Sequence, residues 1–171
     1  MFKAAMIIAL GFVALSLTQC TITQQLIHVP DGPEEALEGH AKGVKRTSYK
    51  IRGVRYYPMT VDAALDYEAE GVASHYNGGG GRTAIGERVY KGDYHAAHRT
   101  LPLPCVVEVT NLANGKTCKL RVNDRGPFVR NRLIDVSAQA ARDLGFYGRG
   151  LQRVKVKVLS VGDGEYRKVK K

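Results

Sequence analysis

Tryptophan is absent from the 171 residues, and there are only three cysteines, three methionines and six prolines. Without Trp the largest aromatic platform for a sugar face is missing, so stacking on a carbohydrate would fall to the nine tyrosines. Three cysteines are too few for a disulfide-built scaffold or a four-cysteine zinc site. Acidic residues number 16 against 26 Lys and Arg, giving a net charge of +10. Such a chain suits an anionic polymer or surface, but the sign alone does not choose among nucleic acid, lipid and acidic wall material. After the first twenty residues no long apolar run follows, which excludes a multi-span membrane protein. No repeat of solenoid period is visible.

What is present is ordinary for a globular chain: 44% hydrophobic and 25% charged residues. Nineteen glycines imply many tight turns and a β-rich fold. Residues 1–19 read as a secretory signal: Lys3 is the positive start, and Ala4 to Leu17 is apolar and uncharged. The run ends in Leu17-Thr18-Gln19-Cys20. A leucine three before a cysteine resembles a bacterial lipobox, which makes Cys20 the expected lipidation site, although Gln19 stands where a small residue is usual. Thr21, in place of Asp, points by lipoprotein sorting rules to the outer membrane facing the periplasm. Soluble export or an uncleaved anchor is the alternative.

Residues 20–45 are polar, with a short acidic patch, and read as a flexible tether. A lead-in follows over 46–70, with two short strands around Gly53 and a helical turn within 60–70. The body is expected over 71–160 and a basic tail over 161–171. Cys105, Val107 and Val109 alternate on one strand, and Cys118, Leu120 and Val122 on the next. Asn114-Gly115 between them predicts a two-residue hairpin turn, with Val109 opposite Leu120 and Val107 opposite Val122. In that register Cys118 faces Asn111 and Cys105 lies near Asp124, too far apart to bridge, so both are expected as buried free thiols. Leu133 to Val136 predicts a strand, Ser137 the N-cap of a helix over 138–144 stopped by Gly145, and Gln152 to Leu159 a last strand with one solvated face.

The blocks Gly71-Val72-Ala73-Ser74-His75-Tyr76, Thr83-Ala84-Ile85-Gly86-Glu87 and Ala96-Ala97-His98-Arg99-Thr100-Leu101-Pro102-Leu103-Pro104 resemble successive blocks of the rare lipoprotein A (RlpA) family. Val109 to Lys116, Arg121-Val122-Asn123-Asp124-Arg125-Gly126-Pro127-Phe128 and Arg132 to Ser137 continue the resemblance in order. It implies a mainly β fold, a six-stranded double-psi β-barrel with one or two short helices. It also implies a peptidoglycan lytic transglycosylase that cleaves between N-acetylmuramic acid and N-acetylglucosamine, leaving 1,6-anhydro ends, with peptide-stripped glycan preferred. Cell-wall remodelling or daughter-cell separation is the implied setting. The departures are His75, where Trp is frequent, and Ile85, where a small polar residue is usual.

Cleaving a glycosidic bond needs a proton delivered to the leaving oxygen. Hydrolases add a second carboxylate for water or a covalent intermediate. A lytic transglycosylase uses the sugar's own C6 hydroxyl, so one carboxyl group can act as base and acid. Asp124, where a strand ends before a Gly-Pro turn, matches the family's catalytic aspartate; alternatively it caps the turn through backbone N–H groups. Glu87 and His98 complete the expected catalytic set. For Glu87 the alternative is an exposed loop residue, and for His98 a ring satisfied by backbone. Tyr76, Thr83, Asn123, Arg125 and Asp135 are the expected substrate-binding residues, Arg125 by turning away from Asp124 and Asp135 as a supporting carboxylate, for which a structural hydrogen-bond role is the favoured alternative.

His95 and His98 lack a third ligand nearby, so no metal is expected, and no cofactor. Residues 78–83 lack the Gly-Lys-Ser/Thr ending of a phosphate loop. Nucleic acid is set aside because an exported protein rarely meets it. The expected partners are glycan strands, the membrane through the lipid anchor and division-site proteins, with the chain a monomer. A catalytically silent glycan-binding or division-associated lipoprotein on the same barrel is the competing reading.

Overall fold

The computed structural model describes residues 43–77, 81–163 and 166–167. The expected signal segment, Cys20, nearly all of the tether and most of the basic tail lie outside the described residues.

The lead-in forms a hairpin of β1 (Tyr49–Ile51) and β2 (Val54–Tyr56). Its turn has positive φ at both Arg52 (48°) and Gly53 (84°), the twist that matches two right-handed strands. Tyr49 and Tyr56 stack with ring centroids 5.2 Å apart, and Phe128 of the barrel packs 5.5 Å from Tyr56. Lys45 exchanges both backbone hydrogen bonds with Leu103, so the end of the expected tether is fastened to the body. Helix α1 (Val61–Leu65) starts at Thr60, whose hydroxyl accepts from the Ala63 amide.

The body comprises β3 (Glu68–Tyr76), β4 (His95–Ala97), β5 (Cys105–Asn111), β6 (Thr117–Asp124), β7 (Arg132–Ser137) and β8 (Leu151–Val161). In the order β3-β7-β4-β6-β5-β8, with β8 pairing back onto β3, these six strands close a barrel. The pairs β3/β7 and β4/β6 are parallel and the others antiparallel. This is the closed mixed barrel that the resemblance implies. Strand β9 (Tyr166–Arg167) pairs with the end of β8. Helix α2 (Ala138–Asp143) is capped by the Ser137 hydroxyl, which accepts from the Ala140 amide, and it stops at Gly145 with φ +79°.

The barrel interior holds Val107, Val109, Leu120, Val122, Ile134, Val136, Val154 and Val156, with Phe146 and Leu144 below α2, all fully buried. Three sequence expectations need correction. The strand expected over Val72 to Tyr76, in a body expected from Gly71, starts at Glu68, because Glu68 to Gly71 pair with Lys157 to Val154. The three-residue β4 was not anticipated; it is too short for its alternation to show. The β5–β6 register is displaced by two: Val107 faces Leu120, Val109 faces Cys118, and Cys105 faces Val122.

The cause of the displaced register is Asn111. Its carbonyl accepts from Gly115 N, its side-chain oxygen from Ala113 N, and its amide nitrogen donates to Leu144 O, which closes a four-residue loop. A shift of two preserves which face each side chain occupies, so the apolar alternation was read correctly with the wrong partners. Cys105 and Cys118 are not bridged to each other and both are buried, as expected, and burial pushes the Cys105 thiol up to about 12.

Candidate functional site

Strand β6 has two faces. Cys118, Leu120 and Val122 fill the core. Arg121 and Asn123 project oppositely, yet they are only 3% and 4% exposed. The loop 82–88 and the turn after β8 supply what covers them. That loop is a small closed unit. Arg82 bridges to Arg88, Thr83 N donates to Glu87 O, and the Thr83 hydroxyl accepts from Glu87 N at 3.1 Å.

The loop holds both expected carboxylates. Glu87 accepts from Arg121 Nη2 at 2.9 Å, Arg121 Nε at 3.4 Å and Asn123 Nδ2 at 2.8 Å. Asp124 is held through one oxygen only. Its Oδ1 accepts from the amides of Ala84 and Arg125, each at 2.8 Å. Its Oδ2 carries no hydrogen bond among the described residues, and the residue is half-buried. After it, Gly126 has φ +142°, a conformation only glycine adopts freely, so the chain can turn sharply off the strand end.

His98 is where the geometry departs most from expectation. Its ring is 3% exposed. Nδ1 accepts from the amides of Thr100 and Leu101, which leaves Nε2–H to donate to the Tyr67 hydroxyl at 3.3 Å. Burial, aided by Arg99 and Arg125, pushes its pKa down to about 3 and keeps the ring neutral. Its link to Asp124 is through backbone, His98 N to Asp124 O at 3.1 Å. The backbone-satisfied alternative therefore describes this ring. It is a positioning group for the strand end, with no ring contact to Asp124.

The five expected substrate contacts are all engaged internally. Arg125 does turn away from the Asp124 carboxylate, but its guanidinium grips the carbonyls of Leu101 (2.5 Å), His98 and Lys45 and lies over the Tyr49 ring. It is a clamp between lead-in and barrel. Thr83 shapes the Glu87 turn, and Asn123 fixes Glu87. Asp135 accepts from the Ser74 hydroxyl, which Arg132 also contacts at 3.1 Å. The Tyr76 hydroxyl and His95 Nδ1 share a hydrogen bond at 2.5 Å; burial, with the charges of Asp124 and Asp135, holds that phenol well above its usual range.

His95 and Arg121 were missed as site residues. His95 is 4% exposed, and burial lowers its pKa against the opposing pull of Asp93, Asp124 and Glu87. It borders a groove of about 330 Å³ lined also by Asn77, Tyr90, Lys91, Gln139, Arg142 and Tyr147. Tyr147 is sandwiched between His75, stacked 4.6 Å away, and the Arg142 guanidinium at 4.1 Å. His75, which departs from the Trp frequent in the family resembled, thus packs against the rings of Tyr147 and Phe146. Among the described residues no cluster of three or more His, Cys, Asp or Glu is arranged to hold a metal ion.

Residues 68–156 match the family model of lytic transglycolases, a double-psi β-barrel domain. The chain belongs to the RlpA family. It is similar to the endolytic peptidoglycan transglycosylase RlpA of Rickettsia bellii, 48% identical over 118 residues that cover 66% of this chain and 51% of that one. The RlpA of Neisseria meningitidis serogroup A is 47% identical over 117 residues, covering 67% of this chain and 48% of that one. The RlpA of Pseudomonas aeruginosa is 46% identical over 126 residues, covering 72% and 36%. The chain therefore spans about half the length, or less, of these curated relatives.

Proposed function

We propose that this chain is a peptidoglycan lytic transglycosylase, with Asp124 as the acid and base. The observation that carries the reading is the asymmetry of Asp124: Oδ1 is anchored by two amides, and Oδ2 is open at a half-buried barrel mouth. Anchoring one oxygen fixes the direction of the other, which a proton-transfer group requires.

In the proposed reaction the carboxyl group gives its proton to the glycosidic oxygen leaving C1 of N-acetylmuramic acid. It then takes the proton from the C6 hydroxyl as that oxygen bonds to C1. One bond breaks, one forms, and the group ends as it began, with no water consumed. Glu87, locked on Arg121 and Asn123, places a second carboxylate beside the oxocarbenium-like centre. The groove past His95 would carry the strand, with Lys91 and Arg142 matching glycan carboxylates.

The test is incubation of the chain without its first 20 residues with sacculi and with peptide-free glycan, read by mass spectrometry. The expected result is 1,6-anhydromuramic products, more from peptide-free glycan, that vanish in Asp124→Asn. Retained pelleting on glycan without any product would instead establish a silent binding protein. The same proposal puts the chain on the outer membrane through Cys20, on the strength of Leu17 to Cys20 for lipidation and of Thr21 for the membrane. Labelled palmitate should enter the chain and be lost in Cys20→Ala.

A further inference from the structure

Arg121 stands on the side of a strand that alternation assigns to solvent, yet it is among the most buried charged groups of the described residues, 3% exposed. A guanidinium removed from water must be matched along its whole fork. One end meets Glu87, through Nη2 and Nε; the other meets Asp163 Oδ1, from Nη1 at 2.6 Å. Burial would lower its pKa, but the hydrogen bonds and charges of Glu87 and Asp163 outweigh that and raise it.

Asp163 itself is 35% exposed and does not need the contact for its own solvation. The contact orients the guanidinium, and the guanidinium orients Glu87. Asn123 completes the arrangement. Its Nδ2 donates to Glu87 Oε2, while its buried Oδ1 has no hydrogen-bond partner among the described residues. The amide is turned for the sake of Glu87 and leaves its own acceptor unsatisfied, at a cost of about 1–3 kcal/mol for such a group in general.

We propose that Arg121 and Asp163 form a positioning pair that sets the Glu87 carboxylate at the site, Asp163 being supplied by the turn after β8. Asp163 lies beyond residues 68–156, which match the family model, so the functional unit runs past that match. The inference rests on the transglycosylase reading and deepens it. Neither residue touches substrate; both act through Glu87. A lysine at 121 would supply one point charge where a planar fork joins two carboxylates.

The test uses the full chain and four variants: Asp163→Asn, Asp163→Glu, Glu87→Gln and the double variant Asp163→Asn with Glu87→Gln. Asp163→Asn should lower kcat about tenfold with KM within about twofold of the parent, since small misplacements of a working group act on the transition state. Asp163→Glu should restore most of the loss. In the Glu87→Gln background Asp163→Asn should add nothing, as expected for two residues acting through one another. An unchanged kcat in Asp163→Asn, or a full additional loss in the double variant, overturns the pair.

If the parent chain releases no anhydro product, the transglycosylase reading fails on that result alone. The pair is then judged by the side-chain ¹⁵N signals of Arg121. Slow hydrogen exchange that is lost in both Asp163→Asn and Glu87→Gln supports it. Exchange unchanged in Asp163→Asn overturns it.

Discussion

Glu87 and Asp124 are both carboxylates tied to the loop 82–88, and they are held in opposite ways. Both oxygens of Glu87 are taken, by a buried guanidinium and an amide. Asp124 has one oxygen fixed by backbone and one open. The first arrangement suits a fixed charge, and the second suits a group that exchanges protons with something arriving from outside. One short loop thus separates the two tasks, and the separation can be broken from either side.

The largest expected effect is on Asp124. Asparagine retains an oxygen for the amides of Ala84 and Arg125, so Asp124→Asn should keep the loop in place and change stability by less than about 1 kcal/mol. Activity should fall by about a hundredfold or more, the range for loss of a general acid–base group. Asp124→Ala removes the anchor too and should also lower stability by about 1–3 kcal/mol, the cost of orphaned donors. Turnover assays and denaturant melts on the two variants separate chemistry from anchoring. Equal stability in both would show that Oδ1 holds nothing.

Glu87→Gln should act on both: kcat should fall at least as far as in Asp163→Asn, and stability should fall as well. The new amide faces donors from Arg121 and Asn123, while Arg121 keeps its ion pair with Asp163. Breaking a largely buried pair from one side costs about 3–5 kcal/mol when burial is complete. With Glu87 19% exposed we expect about 2–3 kcal/mol in urea melts.

His98 sharpens the comparison through pH. Its folded pKa is pushed down to about 3, below the ordinary histidine value of 6.5, so the unfolded chain binds the proton first. Stability from this group is complete above pH 6.5 and falls as pH drops towards 3, by about 2 kcal/mol at pH 5. His98→Asn keeps an acceptor for the Thr100 and Leu101 amides and should flatten the melting-temperature profile between pH 7 and 5. A profile as steep as the parent's would place the acid sensitivity elsewhere, for instance at His95, whose pKa is also lowered by burial.

Which parts of this were legible in the sequence follows from distance along the chain. The alternation of β5, β6 and β8 and the Ser137 cap are local, and each was readable. The β5–β6 register was not, because Asn111 makes its decisive bond to Leu144, 33 residues away. Asp124 and Glu87 were reached through block resemblance. Their opposite environments were invisible, since Arg121 is 34 residues from Glu87 and 42 from Asp163. Alternation set Arg121 apart from the face of Cys118, Leu120 and Val122 and carried no sign of what covers it. Arg125 was read as a substrate ligand because nothing local shows that Lys45 and Leu101 come within its reach.

The smallest effect is expected where the same ion-pair chemistry occurs in water. Arg153 meets Glu70 at 3.2 Å across the β3–β8 ladder, with side chains 68% and 50% exposed. Lys155 meets Glu68 at 3.4 Å, again exposed. These pairs line the sheet as the Glu87, Arg121 and Asp163 group lines the site, with N···O distances of 3.2 and 3.4 Å against 2.9 and 2.6 Å there. Solvent screening and the entropy of long side chains leave such surface pairs worth about 0–1 kcal/mol. Arg153→Ala should therefore shift stability by less than about 0.5 kcal/mol, and the shift should vanish in high salt. Arg121→Ala should cost several times more and respond little to salt, since water and ions do not reach the buried fork. If the two substitutions cost the same, burial of Arg121 contributes nothing, and the contrast between a fixed carboxylate and an open one loses its physical basis.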